Sequence, residues 1–298
     1  GRIETGRCKV GDEVQLLGLG EDKKSAATSK EEGNLVAFSG PDFKATFDKQ
    51  SGLLTSYLYK KHEYILNGQG PRPFFWRAPT DNDYGANLPV RLKAWKEASY
   101  QEPKAESFQV TPGSNATTVK VTYRFPQTEA RWNITYKIYA SGVIKVDNRF
   151  MAEGDQAPMI PRVGLRMQLP ESFTDLTYYG RGPKENYRDR RTSQFIGEYA
   201  IPVKNMYEPY VRPQENNHRT DIYWCALTDK TQRGLLLIAD RTFELNASNY
   251  PLESMDSGDT IDNGAPRTEK THHRHLTDPL PEKMVDLFID YRMMGVGG

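Results

Sequence analysis

Three stretches of this 298-residue sequence crowd carboxylates, guanidinium groups and rings between glycines and prolines. The first is Phe74-Phe-Trp-Arg-Ala-Pro-Thr-Asp-Asn-Asp-Tyr-Gly85. Arg77 follows an aromatic triplet, Pro79 interrupts regular structure, and Asp81, Asn82 and Asp83 offer several oxygens in a short loop. Gly85 allows a hinge or a positive φ. The second is Tyr178-Tyr-Gly-Arg-Gly-Pro-Lys-Glu-Asn-Tyr-Arg-Asp-Arg-Arg191, in which Arg181, Glu185 and Tyr187 are the candidates. The third is Tyr207-Glu-Pro-Tyr-Val-Arg-Pro-Gln-Glu-Asn-Asn-His-Arg-Thr-Asp221, where Arg212, Glu215, Asn216, His218 and Arg219 crowd after two prolines. Bidentate donors, carboxylate acceptors and rings in one loop are what a hydroxyl-rich ligand needs. The same groups serve an Asx-type turn or an ion-pair network between loops equally well. Composition alone leaves both uses open. It does predict that the three loops converge, because charges this dense are costly unless paired or solvated. The expected pairing is of Arg181, Arg188, Arg212 and Arg219 with Glu185, Asp189 and Glu215.

A fourth cluster, Thr271-His-His-Arg-His275, puts His273 and His275 on one face of an extended segment, near Asp278. Hydrogen-bonded histidines and a transition-metal site both fit, and the first is the expectation. An EF-hand is excluded at Asp81, since the loop lacks its twelfth-position glutamate. The sequence has no G-x-G-x-x-G after a strand, no Walker A, no H-E-x-x-H, no G-x-S-x-G and no C-x-x-C. With 40 basic and 39 acidic residues the net charge is +1, which argues against a nucleic-acid surface or a polybasic membrane patch. The longest aliphatic run, residues 235–239, is far too short to span a bilayer. Cys8 and Cys225 make no disulfide framework, and Cys225 reads as a small buried hydrophobe. Sequons at Asn115, Asn133 and Asn246 matter only in a glycosylating pathway.

The elements that must carry these loops read as strands. Residues 43–48 and 53–59 flank a Gly-bearing turn, a hairpin. Val119, Val121, Tyr123 and Phe125 alternate with polar residues, as do Trp132, Ile134, Tyr136 and Ile138, then Ile144, Val146 and Phe150. A period of two over three consecutive segments predicts half-buried antiparallel strands. Further strands are expected at 164–169, 176–179, 222–227, 235–239, 243–247 and 285–291. The single expected helix covers 88–98, with Leu88, Leu92, Trp95 and Ala98 on one face. Many strands and few helices exclude doubly wound α/β and TIM-barrel folds and predict an all-β sandwich. Residues 21–34 are charged and lack apolar periodicity, so they read as a linker.

In this order, Arg77-Ala-Pro-Thr-Asp-Asn-Asp83, Tyr179-Gly-Arg-Gly-Pro-Lys-Glu-Asn-Tyr-Arg-Asp-Arg190, Tyr207-Glu-Pro-Tyr-Val-Arg-Pro-Gln-Glu-Asn216 and His273-Arg-His275 resemble one family. It is the C-terminal, small-chain domain of the β-galactosidases of glycoside hydrolase family 2. The resemblance implies a galactose-mutarotase-like β-supersandwich over residues 35–298, with residues 1–34 the tail of a preceding immunoglobulin-like domain and its linker. It implies a retaining glycosidase whose nucleophile and acid/base glutamates lie on a TIM barrel in an earlier domain. It therefore gives none of the carboxylates here a catalytic role. The family's last domain lends the active site a mobile loop after the Asp-Asn-Asp motif, here Gly85 and its neighbours. It also lends a sugar-stacking tryptophan shortly after a Met-Gly-x-Gly-Gly motif, here Met294-Gly-Val-Gly-Gly298. Implied partners are galactose or a β-galactoside, the parent's other domains and further copies in a homo-oligomer, with no nucleic acid and no membrane. No cofactor is implied for this stretch; the family's Mg and Na ions are bound mainly by other domains. The resemblance points to a bacterial cytoplasm or periplasm without choosing between them. The alternatives are a free-standing sugar mutarotase or epimerase using Glu215 and His218, and a carbohydrate-binding module. Without the tryptophan, galactoside binding is expected to be very weak. An uncovered apolar strip near residues 285–291 is also expected, and with it self-association.

Overall fold

A computed structural model describes residues 25–152, 159–256 and 279–297. His273 and His275 lie outside the described residues, as does Cys8. The chain forms two compact units: residues 1–68 with 102–153, and residues 69–101 with 154–298.

The first unit holds two antiparallel sheets. One runs in sequence order: β1 (Thr28–Glu32), β2 (Leu35–Ser39), β3 (Phe43–Asp48), β4 (Leu54–Tyr59) and β5 (His62–Glu63). After β6 (Arg72–Phe74), which belongs to the second unit, come β7 (Ala105–Thr111), β8 (Thr117–Phe125), β9 (Ala130–Ile138) and β10 (Ile144–Ala152), sheet order β10-β9-β8-β7. The expected alternation holds in β8 and β9, whose apolar residues are all buried. Phe47 joins the sheets, meeting Tyr136 of β9 edge-on at 5.0 Å and Phe108 of β7 at 6.1 Å. The alternation fails in β10, where Val146 is 39% exposed. Among the described residues that strand is an edge, paired with β9 alone. Within the stretch read as a linker, β1 pairs with β2 in register and is exposed at every residue. With neither face covered, no apolar periodicity is required of it.

The second unit is built on a seven-stranded antiparallel sheet. Its strands are β6, β11 (Arg162–Pro170), β12 (Asp175–Gly182), β13 (Phe195–Pro202), β14 (Arg219–Thr228), β15 (Gly234–Ser248) and β16 (Met284–Met293). Their order across the sheet is β13-β12-β14-β15-β16-β11-β6. The runs at 235–239 and 243–247 are one strand, β15. The exposed strip expected at 285–291 is corrected here. β16 is an interior strand, hydrogen-bonded to β11 on one side and β15 on the other, with Val285, Leu287 and Phe288 buried.

Helices are few and short: α1 (Asp81–Gly85), α2 (Leu88–Arg91), α3 (Lys93–Tyr100) and α4 (Leu252–Met255). The helix expected over 88–98 is broken at Leu92, which sits at φ −111°, ψ 17°. Its apolar face survives the break, because Leu88, Leu92, Trp95 and Ala98 are all buried. Among the described residues no helix is long and apolar enough to cross a membrane.

Candidate functional site

All three loops belong to the second unit, and they do converge. The first loop is set by α1. Thr80 is its N-cap: the Thr80 hydroxyl accepts from the Asp83 amide at 3.2 Å, and Asp83 Oδ2 accepts from the Thr80 amide at 2.9 Å. This reciprocal capping box fixes a five-residue helix that propensity alone would not form. It turns Asp83 inward, where Arg77 donates to it twice, Nε to Oδ2 at 3.0 Å and Nη2 to Oδ1 at 2.7 Å. Both side chains are buried. The remaining Arg77 donors reach the carbonyls of Met294 and Gly295, at 2.8 and 2.9 Å. Asn82 donates to the Val296 carbonyl at 2.6 Å.

From the opposite side the second loop grips the same segment. Asp189 accepts from the amides of Val296 at 3.0 Å and Gly297 at 2.5 Å. Burial pushes the Asp189 carboxyl up, yet these amides outweigh it and hold its pKa below the ordinary value. The fit requires glycine, since a Cβ on residue 295 would lie 2.5 Å from the Asp189 carboxyl carbon. The backbone of residues 294–297 is thus clamped by Arg77, Asn82 and Asp189.

The third loop ties the others together. Arg212 donates to Asp81 Oδ1 at 3.0 Å and lies 3.8 Å over the Tyr84 ring. The Asn217 amide donates to Glu185 Oε2 at 2.7 Å, and Glu185 also receives Tyr210 and Arg190. Asn186 is buried and satisfied: it donates to the carbonyls of Arg181 and Lys184 and accepts from Thr220. The expected charge pairs are not the ones formed. Arg181 pairs with Asp221 at 2.6 Å, Arg188 with Glu244 at 2.9 Å and Arg212 with Asp81. Arg219 spends its donors on the carbonyls of Pro183, Asn217 and His218. The reason is register. Arg181 and Arg188 reach carboxylates on the strands β14 and β15, while Arg212 crosses to the first loop.

Beneath the loops lies a cluster that sequence reasoning missed. Arg162 of β11 is fully buried and reaches Glu215 Oε1 at 3.2 Å, the Trp76 carbonyl at 3.2 Å and Asp290 Oδ2 at 3.1 Å, with the Phe288 ring 4.1 Å away. Asn246 of β15 donates to Glu215 Oε1 at 3.1 Å, so this sequon asparagine is a core residue. His218 Nε2 lies 3.0 Å from Glu244 Oε2, and its ring stacks with Tyr187, centroids 5.5 Å apart. The Met293 amide also donates to Glu244, at 2.8 Å, which joins the cluster to the clamped segment. A signal was present in the sequence: Arg162 and Arg166 stand four apart in β11, Asp286 and Asp290 four apart in the adjoining β16. Spacing of four puts each pair on one sheet face.

Burial decides what each candidate can do. Arg77, Asp83, Tyr187, Arg212, Glu215, Asn216, His218 and Arg219 are buried and occupied. Asp81, Asn82 and Gly85 are exposed, Arg181 and Glu185 half-buried. The solvent-facing part is therefore Asp81, Asn82 and Gly85 of α1 with Arg190, and the buried set lies behind it. Among the described residues no group of three or more His, Cys, Asp or Glu side chains could hold a metal ion.

A family model described as Beta galactosidase small chain matches residues 39–298. A beta-galactosidase of Priestia megaterium is 32% identical over 273 residues, 92% of this chain and 25% of that protein. One from Lactobacillus delbrueckii subsp. bulgaricus is 34% identical over 218 residues, 72% of this chain and 21% of that protein. Among solved structures, a putative aldose 1-epimerase from Escherichia coli K12 covers 86% of this chain at 9% identity, with a TM-score of 0.39 that carries no argument. The chain spans about a quarter of the length of the curated relatives it matches. Matched from residue 39 to 298, the chain belongs to the beta-galactosidase small chain family.

Proposed function

We propose that this chain is the C-terminal domain of a retaining β-galactosidase acting on terminal non-reducing β-D-galactosides. It completes the substrate site and the assembly, and the catalytic glutamates lie on a barrel in another part of the parent. The observation that carries this reading is the family match over nearly the whole chain together with coverage of only a quarter of each β-galactosidase relative. The geometry supports it. Asp83, Glu185, Asp189, Glu215 and Glu244 are each held by an arginine or by backbone amides, which suits framework carboxylates and not a pair poised across a glycosidic bond. Galactoside binding falls to the exposed rim of Asp81, Asn82 and Gly85, and the parent's other domains and further copies are the partners.

A free-standing mutarotase is disfavoured. Glu215 and His218, the pair it would use, are 2% and 1% exposed and engaged by Arg162, Asn246 and Glu244. The test is turnover of a chromogenic β-galactoside by the purified chain, alongside polarimetry of galactose anomerisation. Neither reaction is expected to accelerate. Galactoside hydrolysis abolished by Glu185→Gln or Glu215→Gln would overturn the proposal, and anomerisation lost in Glu215→Gln would restore the mutarotase.

A further inference from the structure

The buried cluster beneath the loops is out of charge balance. Asp290 of β16 and Glu244 of β15 are register partners on adjacent antiparallel strands, so their side chains share one face. Like charges directly opposite each other are destabilising, and more so away from water. On its other side Asp290 faces Gly164 of β11, and a Cβ there would lie 1.9 Å from Asp290 Oδ1. The carboxyl is packed into a space made for it.

The charged and titratable groups around Asp290 come from five elements. Arg162 approaches from β11, its Nε 3.1 Å from Oδ2. His218 of the third loop puts Nδ1 4.0 Å from the same oxygen, and Glu215 of that loop sits on the far end of Arg162. Glu244 comes from β15, with the half-exposed Arg188 behind it. Asp286 of β16 and Tyr187 of the second loop act on Arg162 from further out. With His218 neutral, ionised Asp290, Glu215 and Glu244 against Arg162 and Arg188 leave one negative charge in excess, which a proton on Asp290 or on His218 would neutralise. The excess falls where Asp290 Oδ1 and Oδ2, Glu215 Oε2 and His218 Nδ1 are buried without a hydrogen-bond partner. Breaking the balance of buried charge is costly, so something must neutralise the excess. A metal ion does not fit, since among the described residues no three ligating side chains could hold one.

We propose that this cluster is a proton-binding site: it retains one proton centred on Asp290 at neutral pH and releases it in mild alkali, loosening the clamped segment 293–297. The link to that segment is Glu244, which holds the Met293 amide and His218 together. Burial first, then Glu244 and Glu215, push the Asp290 carboxyl up to about 8, against the opposing pull of Arg162. The sign follows. Between the ordinary carboxylate value of 3.8 and about 8 the folded chain holds a proton that the unfolded chain does not. Stability therefore falls as pH rises through that window and levels off above it. This inference does not depend on the β-galactosidase reading.

The test uses the whole 298-residue chain. Urea unfolding is measured from pH 5 to 9 for the wild type and for Asp290→Asn, which is neutral throughout. One linked proton lowers the folded-to-unfolded ratio by up to about tenfold per pH unit. The wild type should fall by that measure relative to Asp290→Asn from pH 5 to about pH 8 and run parallel to it from there to pH 9. Amide exchange at Met293, corrected for its chemical pH dependence, should quicken in the wild type alone. An infrared difference spectrum between pH 6 and pH 9 should show a protonated-carboxyl carbonyl band that Asp290→Asn lacks. Curves parallel all the way from pH 5 to 9, or no such band, would overturn the proposal. Should Asp290→Asn fail to fold, Glu215→Gln carries the test. With one carboxylate fewer the band must titrate at lower pH, and an unchanged titration overturns the idea.

Discussion

Asp83→Asn is a one-atom change that isolates what the first loop depends on. In the native arrangement Oδ1 takes Nη2 of Arg77, while Oδ2 takes both Nε of Arg77 and the Thr80 amide. All three partners are donors. Whichever way an asparagine amide is turned, its NH2 group faces a donor, and the negative charge is gone. Arg77 is 2% exposed and retains only two backbone carbonyls. Removing one partner of a buried ion pair costs about 3–5 kcal/mol, because the other charge is left uncompensated. Against a domain stability of about 5–15 kcal/mol that is a third or more of the total. Thr80→Ala is the control: it removes the cap hydroxyl but leaves the ion pair, and should cost about 1 kcal/mol. The assay is urea unfolding followed by tryptophan fluorescence, since Trp76 adjoins Arg77 and Trp95 lies in the same unit. The midpoint should drop with the denaturant slope unchanged. A loss for Asp83→Asn no larger than that for Thr80→Ala would refute the argument, and would mean that the buried pair contributes nothing beyond the cap.

Two further predictions bear on neighbouring groups and a third on Cys225. Gly295→Ala should cost about 0.5–1.5 kcal/mol, because its Cβ displaces the exposed Asp189 carboxylate from the amides of Val296 and Gly297; urea unfolding checks it, and a neutral substitution would show that the clamp does not need glycine. The lowered pKa of Asp189 means that its contribution is present above the ordinary carboxylate pKa and is lost as pH falls through the folded value. Asp189→Asn should therefore flatten the stability profile below about pH 4, and a profile matching wild type would count against it. Cys225 is buried and its thiol is pushed up to about 12 by burial. Peptide mapping after maleimide treatment should find it unlabelled in the folded chain and labelled in urea, and rapid native labelling would contradict that placement.

The strands were legible where one face is covered and the other wet. β8 and β9 alternate residue by residue, so their period of two could be read directly. The all-β class followed, and the motifs in order pointed to the beta-galactosidase small chain family that the match over residues 39–298 shows. What could not be read had a physical cause in each case. β1 and β13 carry no clean pattern, because β1 is exposed on both faces and β13 is the edge of its sheet. α1 is held by its capping box and Arg77, neither of which a helical periodicity reports. The break at Leu92 leaves its apolar face intact, so a sequence pattern sees one helix where there are two.

The candidate residues were found correctly as a group and misread as individuals, and the misreading follows from where the strands lie. Loop composition shows that Arg212, Glu215 and His218 are close in the chain. It cannot show that Glu215 and His218 point down onto β11, β15 and β16 while Asp81 and Asn82 point out. That distinction depends on Arg162, Asn246, Glu244 and Asp290, which stand in strands that read as ordinary apolar runs. Charged residues in a buried strand are expensive to keep. Three such residues, with Asn246, on one face of three adjoining strands mark a place where loops are bolted down, and a loop that is bolted down keeps its rim in one position. The rim of Asp81, Asn82 and Gly85 is thus fixed from below by side chains that never reach solvent. Substitutions at Arg162 or Glu244 should disturb any ligand contact at that rim without touching the ligand.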